Sequence, residues 1–189
     1  MSLDRIVDDT YPKIKWYATA SIKTDEFDWW LNYTWSKAED VIDGVPVLRS
    51  WDQRHALTGN VTWRRDKWML SLVGRYHSSW PQTPLLVTSI LDANGSLIGL
   101  DTDLSQRNQQ NFYDYFWIDA RLSRTVDLEK GSFEFYFDIF NLLNTENQCC
   151  VAGFNVAFGP TLTVQLNVDE FLPIFPSFGF VWTFGSGTH

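Results

Sequence analysis

The sequence predicts an all-β protein, built as an antiparallel, up-and-down array of about seven strands. Two observations lead to this prediction. Apolar residues recur at every second position over stretches of roughly 8–12 residues, which is the period of a strand and not of a helix. The connections between these stretches alternate between short and long, as in arrays whose strands run back and forth. The length of 189 residues suggests one domain.

The period-two stretches carry aromatic and aliphatic residues at alternate positions. They cover residues 14–22, 27–36, 57–64, 68–77, 116–123, 133–140 and 178–184. The tight turns that connect them cover residues 24–26, 65–67 and 127–131, and the long loops cover residues 38–53, 79–111 and 142–176. Turns and loops therefore fall on opposite ends of the array, and the chain ends on the short-turn side.

The distribution of side chains over the two faces of the array predicts that it spans a membrane. One face has no acidic residue in any of the seven stretches. The other face carries Asp28, Asn32, Asn60, Arg75, Asp119, Arg121, Glu134 and Asp138. The aromatic residues expected to form girdles at the membrane interfaces are Trp16, Trp29, Trp35, Trp63, Trp68, Tyr76 and Trp182. A soluble lipocalin-like barrel is the alternative, but side chains this large would overfill a small interior.

The odd number of strands needs an explanation, because bacterial single-chain barrels have an even number. Either a further strand lies in residues 85–99 or 152–168, or the chain is part of a larger barrel. The first segment contains Ala93-Asn94-Gly95, a hairpin turn signal between two apolar runs. We expect this hairpin to embellish a loop, and a complete small barrel with eight strands is the alternative.

Composition excludes several classes of protein. The net charge of -8 argues against a nucleic-acid-binding protein, which should carry a basic patch. The only cysteines, Cys149 and Cys150, are adjacent and exclude a disulfide scaffold. Pairing to a missing part, a strained bond between the two and free thiols all stay open. Residues 1–5 lack the features of a signal peptide, which fits a cytosolic protein, a mature form or a fragment.

Six blocks, in order, resemble the C-terminal part of the barrel of TonB-dependent outer-membrane receptors. They are NYTWSKA at 32–38, WDQRHAL at 51–57, GRY at 74–76 with PQTP at 81–84, IDARLS at 118–123, FDIFNLLN at 137–144, and LP at 172–173 with PSFG at 176–179. The resemblance covers residues 14–184. It is nearest to the large receptors that carry a carboxypeptidase-like regulatory domain.

The resemblance implies a plugged barrel of about 22 strands that imports a scarce nutrient with energy from TonB. The nutrient could be a siderophore, cobalamin, a glycan or a peptide. The chain would then supply a barrel-wall segment at 14–184, preceded by a leader or loop at 1–13 and followed by a tail at 185–189. It would be no enzyme, would hold no cofactor and would lie in the bacterial outer membrane with a periplasmic C-terminus.

The partners that the resemblance implies are outer-membrane lipid, the rest of the barrel and its plug, TonB through that plug, and the barrel-assembly machine. The last strand resembles the terminal strand that this machine reads, with Ser177, Gly179, Trp182 and Phe184 at the pattern positions. An exposed strand edge is a template for pairing with another chain. Family chains usually stop at the terminal Phe, whereas Gly185–His189 follow here.

Candidate chemistry is sparse, because the chain has no nucleophile–base motif, phosphate loop or CxxC motif. Asp52, Arg54 and His55 could contact a ligand, but anchoring of a loop by charge-assisted hydrogen bonds is preferred. The other residues predicted to anchor loops or line the lumen are Arg75, Asp119, Arg121 and Asp138. His55 and His77 are expected on the same side, with too few further ligands for a metal site.

Two acidic loop clusters are weaker candidates for calcium ligands. One contains Asp92, Asp101 and Asp103, and the other contains Glu39, Asp40 and Asp43. Carboxylate oxygens suit calcium, but the spacing does not complete an EF-hand loop. Solvated loops are the preferred interpretation of both clusters.

Overall fold

The computed structural model of the chain describes residues 13–42, 44–84, 86–103, 106–157 and 163–185. Strands, turns and irregular connections make up these ranges, and no helix occurs in them. The strands are β1 Lys13–Lys23, β2 Phe27–Lys37, β3 Glu39–Ile42, β4 Val45–Leu48, β5 His55–Arg65, β6 Trp68–His77, β7 Pro81–Gln82, β8 Leu86–Leu91, β9 Leu97–Asp103, β10 Gln110–Asn111, β11 Tyr115–Leu128, β12 Gly131–Phe140, β13 Gln148–Ala157, β14 Thr163–Glu170 and β15 Phe175–Phe184. The predicted all-β fold is confirmed.

Seven strands form one antiparallel sheet in the order β1-β2-β5-β6-β11-β12-β15. They are the seven strands predicted from the period-two pattern, with changes only at their ends. β5 begins at His55 and β15 at Phe175, both earlier than predicted, and β11 continues to Leu128. Each strand pairs with its predecessor in the series, so the up-and-down order is confirmed.

The remaining strands form small separate pairs within the long connections. β3 pairs with β4, β7 with β10, β8 with β9, and β13 with β14. The two segments considered as sources of an eighth sheet strand lie in the β8–β9 and β13–β14 hairpins. Neither joins the large sheet, whose edges are β1 and β15, and the described strands do not close into a barrel.

The short connections are tight because few residues are needed to reverse a strand. Asp66 and Lys67 join β5 to β6, and Asp66 has a φ of 54°, which matches the left-handed conformation that two-residue hairpin turns favour. Between β1 and β2, the Thr24 hydroxyl donates to the carbonyl of Phe27 at 2.6 Å. The short turns lie at one end of the sheet, and the long connections lie at the other.

The strand register aligns the alternating residues into rows that cross the whole sheet. One row consists of Ile22, Trp29, Val61, Leu72, Ala120, Ile139 and Pro176. The next row consists of Lys23, Asp28, Thr62, Ser71, Arg121, Asp138 and Ser177. Because neighbouring residues in a strand point to opposite sides, we call the side of Leu72 the apolar face and the side of Ser71 the polar face.

The sheet has no conventional hydrophobic core within the described residues. The buried apolar side chains there are those of Ala38 and Trp117 and of the two loop prolines Pro81 and Pro84. None of the described segments is a helix long and apolar enough to cross a membrane. The side chains of the large sheet therefore lie mainly on its two faces and not in a shared interior.

Candidate functional site

The apolar face exposes many large side chains. The exposed fraction reaches 86% at Phe178 and 72% at Phe184, both on the edge strand β15. The inner strands contribute further exposed side chains, namely Leu31, Val61, Trp63, Trp68, Leu70, Leu72, Phe116, Leu122, Phe135 and Phe137. Soluble monomers rarely expose a large contiguous apolar surface.

Aromatic rings frame this face near both ends of the strands. Trp16 lies opposite Trp35 near the long-loop end, and Trp63 lies opposite Phe27 near the short-turn end. Trp182 stacks on Phe184 with ring centroids 4.4 Å apart. The predicted girdle positions Trp16, Trp29, Trp35, Trp63, Trp68 and Trp182 all belong to the apolar face by register.

At the long-loop end, polar groups cap the rings of the apolar face. The Tyr33 hydroxyl lies 2.8 Å from His55 Nδ1. The Tyr76 hydroxyl donates to Asp114 at 2.8 Å, and the Ser79 amide donates to the same carboxylate at 2.8 Å. These two donors lower the pKa of Asp114. The arrangement gives each tyrosine an apolar ring and a satisfied polar tip, as at a membrane interface.

The polar face carries ion pairs between neighbouring strands. Arg121 donates to both carboxylate oxygens of Asp138, at 2.6 and 2.7 Å. Arg75 donates to Asp119 at 3.0 Å. Such charge-assisted bonds, and above all the bidentate pair, fix the strand register as well as the side chains. The four predicted lumen residues are therefore brought together as two pairs.

Several polar side chains in the middle of the polar face are buried, which no described side chain of the apolar face is. Asp138, Thr62 and Ser123 are buried, with 6% of Asp138 exposed. Thr62 lies in a hydrogen-bonded group with Asn60 and Ser71, at 3.0 and 3.3 Å. Buried polar groups need hydrogen-bond partners. Thr62 and Asp138 find theirs in polar side chains of neighbouring residues on the same face.

Asp52 and Arg54 lie together at the base of the first long connection. The buried carboxylate of Asp52 accepts a hydrogen bond from the Ala38 amide at 2.5 Å and one from Arg54 Nη2 at 3.2 Å. These bonds tie the two ends of the 38–54 connection together. The geometry favours loop anchoring at these two residues.

The expectation that His55 and His77 share a side is wrong. β5 begins at His55, which pairs with Trp35 and therefore lies on the apolar face. His77 pairs with Ala56 and therefore lies on the polar face. The alternation that gives Leu57 to the apolar face continues back to His55, whereas His77 is one position beyond the apolar-face residue Tyr76.

His77 instead belongs to an aromatic stack that the sequence pattern did not reveal. Its ring lies 4.7 Å from that of Trp80 and 4.6 Å from that of Tyr115. Phe171 meets Tyr115 edge-on at 5.6 Å. The stack packs residues of two long connections against the ends of β6 and β11.

Three asparagines hold the segment after β12, and the sequence pattern did not predict their role. Asn141 is fully buried, and its side chain bonds to the Thr145 amide at 2.9 Å and to the carbonyls of Thr145 and Leu172 at 3.0 and 3.1 Å. Asn147 bonds to the amide and carbonyl of Phe116 at 2.9 and 2.8 Å. Asn144 accepts from the Ile174 amide at 2.9 Å. The only sequence signal was their place in and beside FDIFNLLN.

The residues of the predicted assembly-signal strand lie on β15 and pair with β12. Ser177 lies opposite Asp138, Gly179 opposite Tyr136, and Phe184 opposite Gly131. A Cβ at Gly179 would collide with the side chain of Tyr136, so the ring covers the glycine. Trp182 pairs with Phe133 on the apolar face.

Neither calcium candidate forms a cation site in the described part of the chain. Asp92 accepts from the amides of Asn94 and Ser96 at 2.8 and 2.7 Å and thereby shapes the β8–β9 turn. Asp40 pairs with Arg49 at 2.5 Å, and Glu39 pairs with Lys37. No group of three potential metal ligands occurs among the described residues. Asp43 and the side chain of Asp103 lie outside them.

The two cysteines lie in β13, within the last long connection. Both are free thiols, and a β-bulge between Gln148 and Cys150 interrupts the regular pairing with β14. The hydrogen bond between the two thiols is the main cause that raises the pKa of Cys149 to about 11. Cys149 therefore stays protonated to higher pH than an ordinary thiol.

Comparison of the chain with protein-family models, with curated proteins and with solved structures found no match in any of the three.

Proposed function

We propose that this chain is a membrane-embedded wall segment of an outer-membrane receptor barrel of the TonB-dependent type. In that role the apolar face contacts lipid, and the polar face lines the barrel interior. The long connections lie on the extracellular side, and the short turns lie in the periplasm. The complete barrel would import a scarce nutrient, and this segment would contribute wall and part of the vestibule.

The observation that carries the proposal is the contrast between exposed large apolar side chains on one face and paired polar side chains on the other. Fully burying one Leu or Phe side chain is worth about 1.5–3 kcal/mol, and the apolar face leaves more than ten large apolar side chains exposed. The seven sheet strands have 10 to 14 residues. A tilted strand needs about 9–11 residues to cross a bilayer. Lipid against the apolar face supplies the missing apolar environment.

The open edges favour a segment over a complete barrel. β1 and β15 each have one unpaired side within the described sheet, and lipid does not tolerate unpaired backbone groups. Further strands of the same receptor would satisfy them. The order of six sequence blocks resembling these receptors supports the same assignment, as does the separation of long connections from short turns.

Tryptophan quenching in vesicles tests the orientation of the faces. The full chain is reconstituted into vesicles that contain lipids brominated along their acyl chains. We expect strong quenching, and we expect Trp63→Phe on the apolar face to remove part of it. The matched control Trp30→Phe, on the polar face of the neighbouring strand β2, should leave the lipid-quenched component unchanged. Equal effects of the two substitutions, or no quenching, would contradict the proposal and favour a soluble barrel.

Electrophoresis of boiled and unboiled chain in detergent tests whether the segment is open. A segment with two unpaired edges should show no heat-dependent shift, together with a β-rich circular dichroism spectrum. A resistant, faster-migrating band in the unboiled sample would indicate a closed barrel and favour the small complete alternative.

A further inference from the structure

Two arginines flank a tryptophan on the apolar face, in the row nearest the β5–β6 turn. Arg65 in β5 lies directly opposite Trp68 in β6, and Trp68 lies directly opposite Arg124 in β11. The Arg124 guanidinium carbon is 5.1 Å from the centre of the Trp68 ring. This cation–π contact holds one guanidinium on the outward side of the sheet.

Among the residues that the structure describes, both guanidiniums lack an acidic partner, unlike the cations beside them. Arg64, next to Arg65 but on the polar face, pairs with Asp28 at 2.6 Å. Lys67 in the turn pairs with Asp127. Within the described ranges, neither Arg65 nor Arg124 makes an ion pair, and the apolar face of the seven strands has no acidic residue. Their positive charge is therefore uncompensated by the part of the chain that the structure describes.

The spacing suits one anion held between two long side chains. Arg65 and Arg124 lie two strands apart, a separation of about 10 Å across the sheet. Guanidinium groups bind phosphate through paired N–H donors. The next row inward is apolar and includes Leu70 and Leu122. A ligand whose anionic group binds here could place an apolar portion against these leucines.

We propose that Arg65, Trp68 and Arg124 bind the headgroup phosphate of an anionic phospholipid in the leaflet at the short-turn end. The inference rests on the proposed function, because a headgroup reaches this row only when the apolar face lies in lipid. The acyl chains lie along Leu70 and Leu122, the tryptophan occupies the interface, and the arginines reach the phosphate from either side. The two charges also fix the depth of the sheet in the bilayer.

Lipid retention by the full chain in zwitterionic detergent tests the site. Native mass spectrometry counts bound phosphatidylglycerol and, in parallel, phosphatidylcholine with the same acyl chains. We expect preferential retention of phosphatidylglycerol, weakened about fivefold by each of Arg65→Gln and Arg124→Gln. The matched control is Arg64→Gln, which removes the same charge one residue away on the other face and should leave retention unchanged.

The outcomes separate the site from the proposed function. Equal loss in Arg64→Gln, equal retention of the two lipids, or displacement of the lipid by millimolar inorganic phosphate would each overturn the assignment of an anionic phospholipid to these residues. Quenching by brominated lipid is measured on the same variants. Intact quenching without phosphatidylglycerol preference refutes only this inference, whereas absence of quenching refutes the membrane assignment on which it rests.

Discussion

The two faces of the seven-stranded sheet share one backbone but differ in their side chains and in the contacts that these make. On the apolar face, large side chains stand exposed and make few polar contacts apart from the rim at the long-loop end. On the polar face, charged and amide side chains bond to one another, as the exposed Arg121 does to the buried Asp138 through two hydrogen bonds. The polar face satisfies its groups by hydrogen bonds within the sheet, whereas the apolar face needs an apolar environment from outside the sheet.

The largest expected effect comes from placing a charge in the middle of the apolar face. Leu72→Arg should destabilise the protein in vesicles by about 2–4 kcal/mol, the range for a charged residue at the bilayer midplane. Unfolding by urea in lipid, followed by circular dichroism, measures the change. In detergent-free buffer the same substitution removes exposed apolar surface, and its effect on stability should be much smaller.

Val73→Arg is the matched control for this substitution. Val73 is the next residue of β6 and lies on the polar face, between Asn60 and Asp119 in neighbouring strands. An arginine there has polar neighbours and an acidic residue within reach. A loss of stability equal to that of Leu72→Arg would mean that the two faces do not differ in their surroundings.

The next effect concerns the bidentate pair on the polar face. Asp138→Ala removes two charge-assisted hydrogen bonds from Arg121 and should cost about 1–3 kcal/mol in free energy of unfolding. Glu134→Ala is the control, since Glu134 is on the same strand and face and makes no hydrogen bond or ion pair among the described residues. Similar losses for both would show that net charge, and not the pair, stabilises this face.

The sequence predicted the sheet well because its information is local. Alternation over each stretch assigns every strand residue to a face, and the structure keeps Leu72 and Ser71 on the predicted sides. The error at His55 arose at a strand end, where alternation alone does not say whether the strand has begun. The asparagines that hold the long connections could not be predicted, because their hydrogen bonds join residues that are distant in the sequence. Asn147, for example, bonds to Phe116, which is 31 residues away.

A smaller effect is expected where a ring of the polar face covers a glycine. In Gly179→Ala the added methyl group meets the side chain of Tyr136, which must move from its place near Arg121, 4.4 Å from the ring centre. Overpacking of this kind costs about 1 kcal/mol when the obstacle is a movable side chain. Gly74→Ala is the control, because an added Cβ there has no neighbour within 4 Å. Denaturant titration should separate the two variants, and equal losses would exclude Tyr136 as the cause.

The smallest effect on stability is expected at the thiol pair, which lies outside both faces of the large sheet. The hydrogen bond between the two thiols raises the pKa of Cys149 to about 11. At pH 8 little thiolate is present, so alkylation of Cys149 should be slow. Cys150→Ala removes the partner, lowers the pKa of Cys149 toward its ordinary value and should speed the reaction on the order of tenfold or more. The rate is measured with a membrane-impermeant maleimide in vesicles, and unchanged labelling in the variant would show that the two thiols titrate independently.

Because β13 belongs to a long connection, labelling of the wild type from only one side of the vesicle would also assign that side to the long-loop end of the sheet.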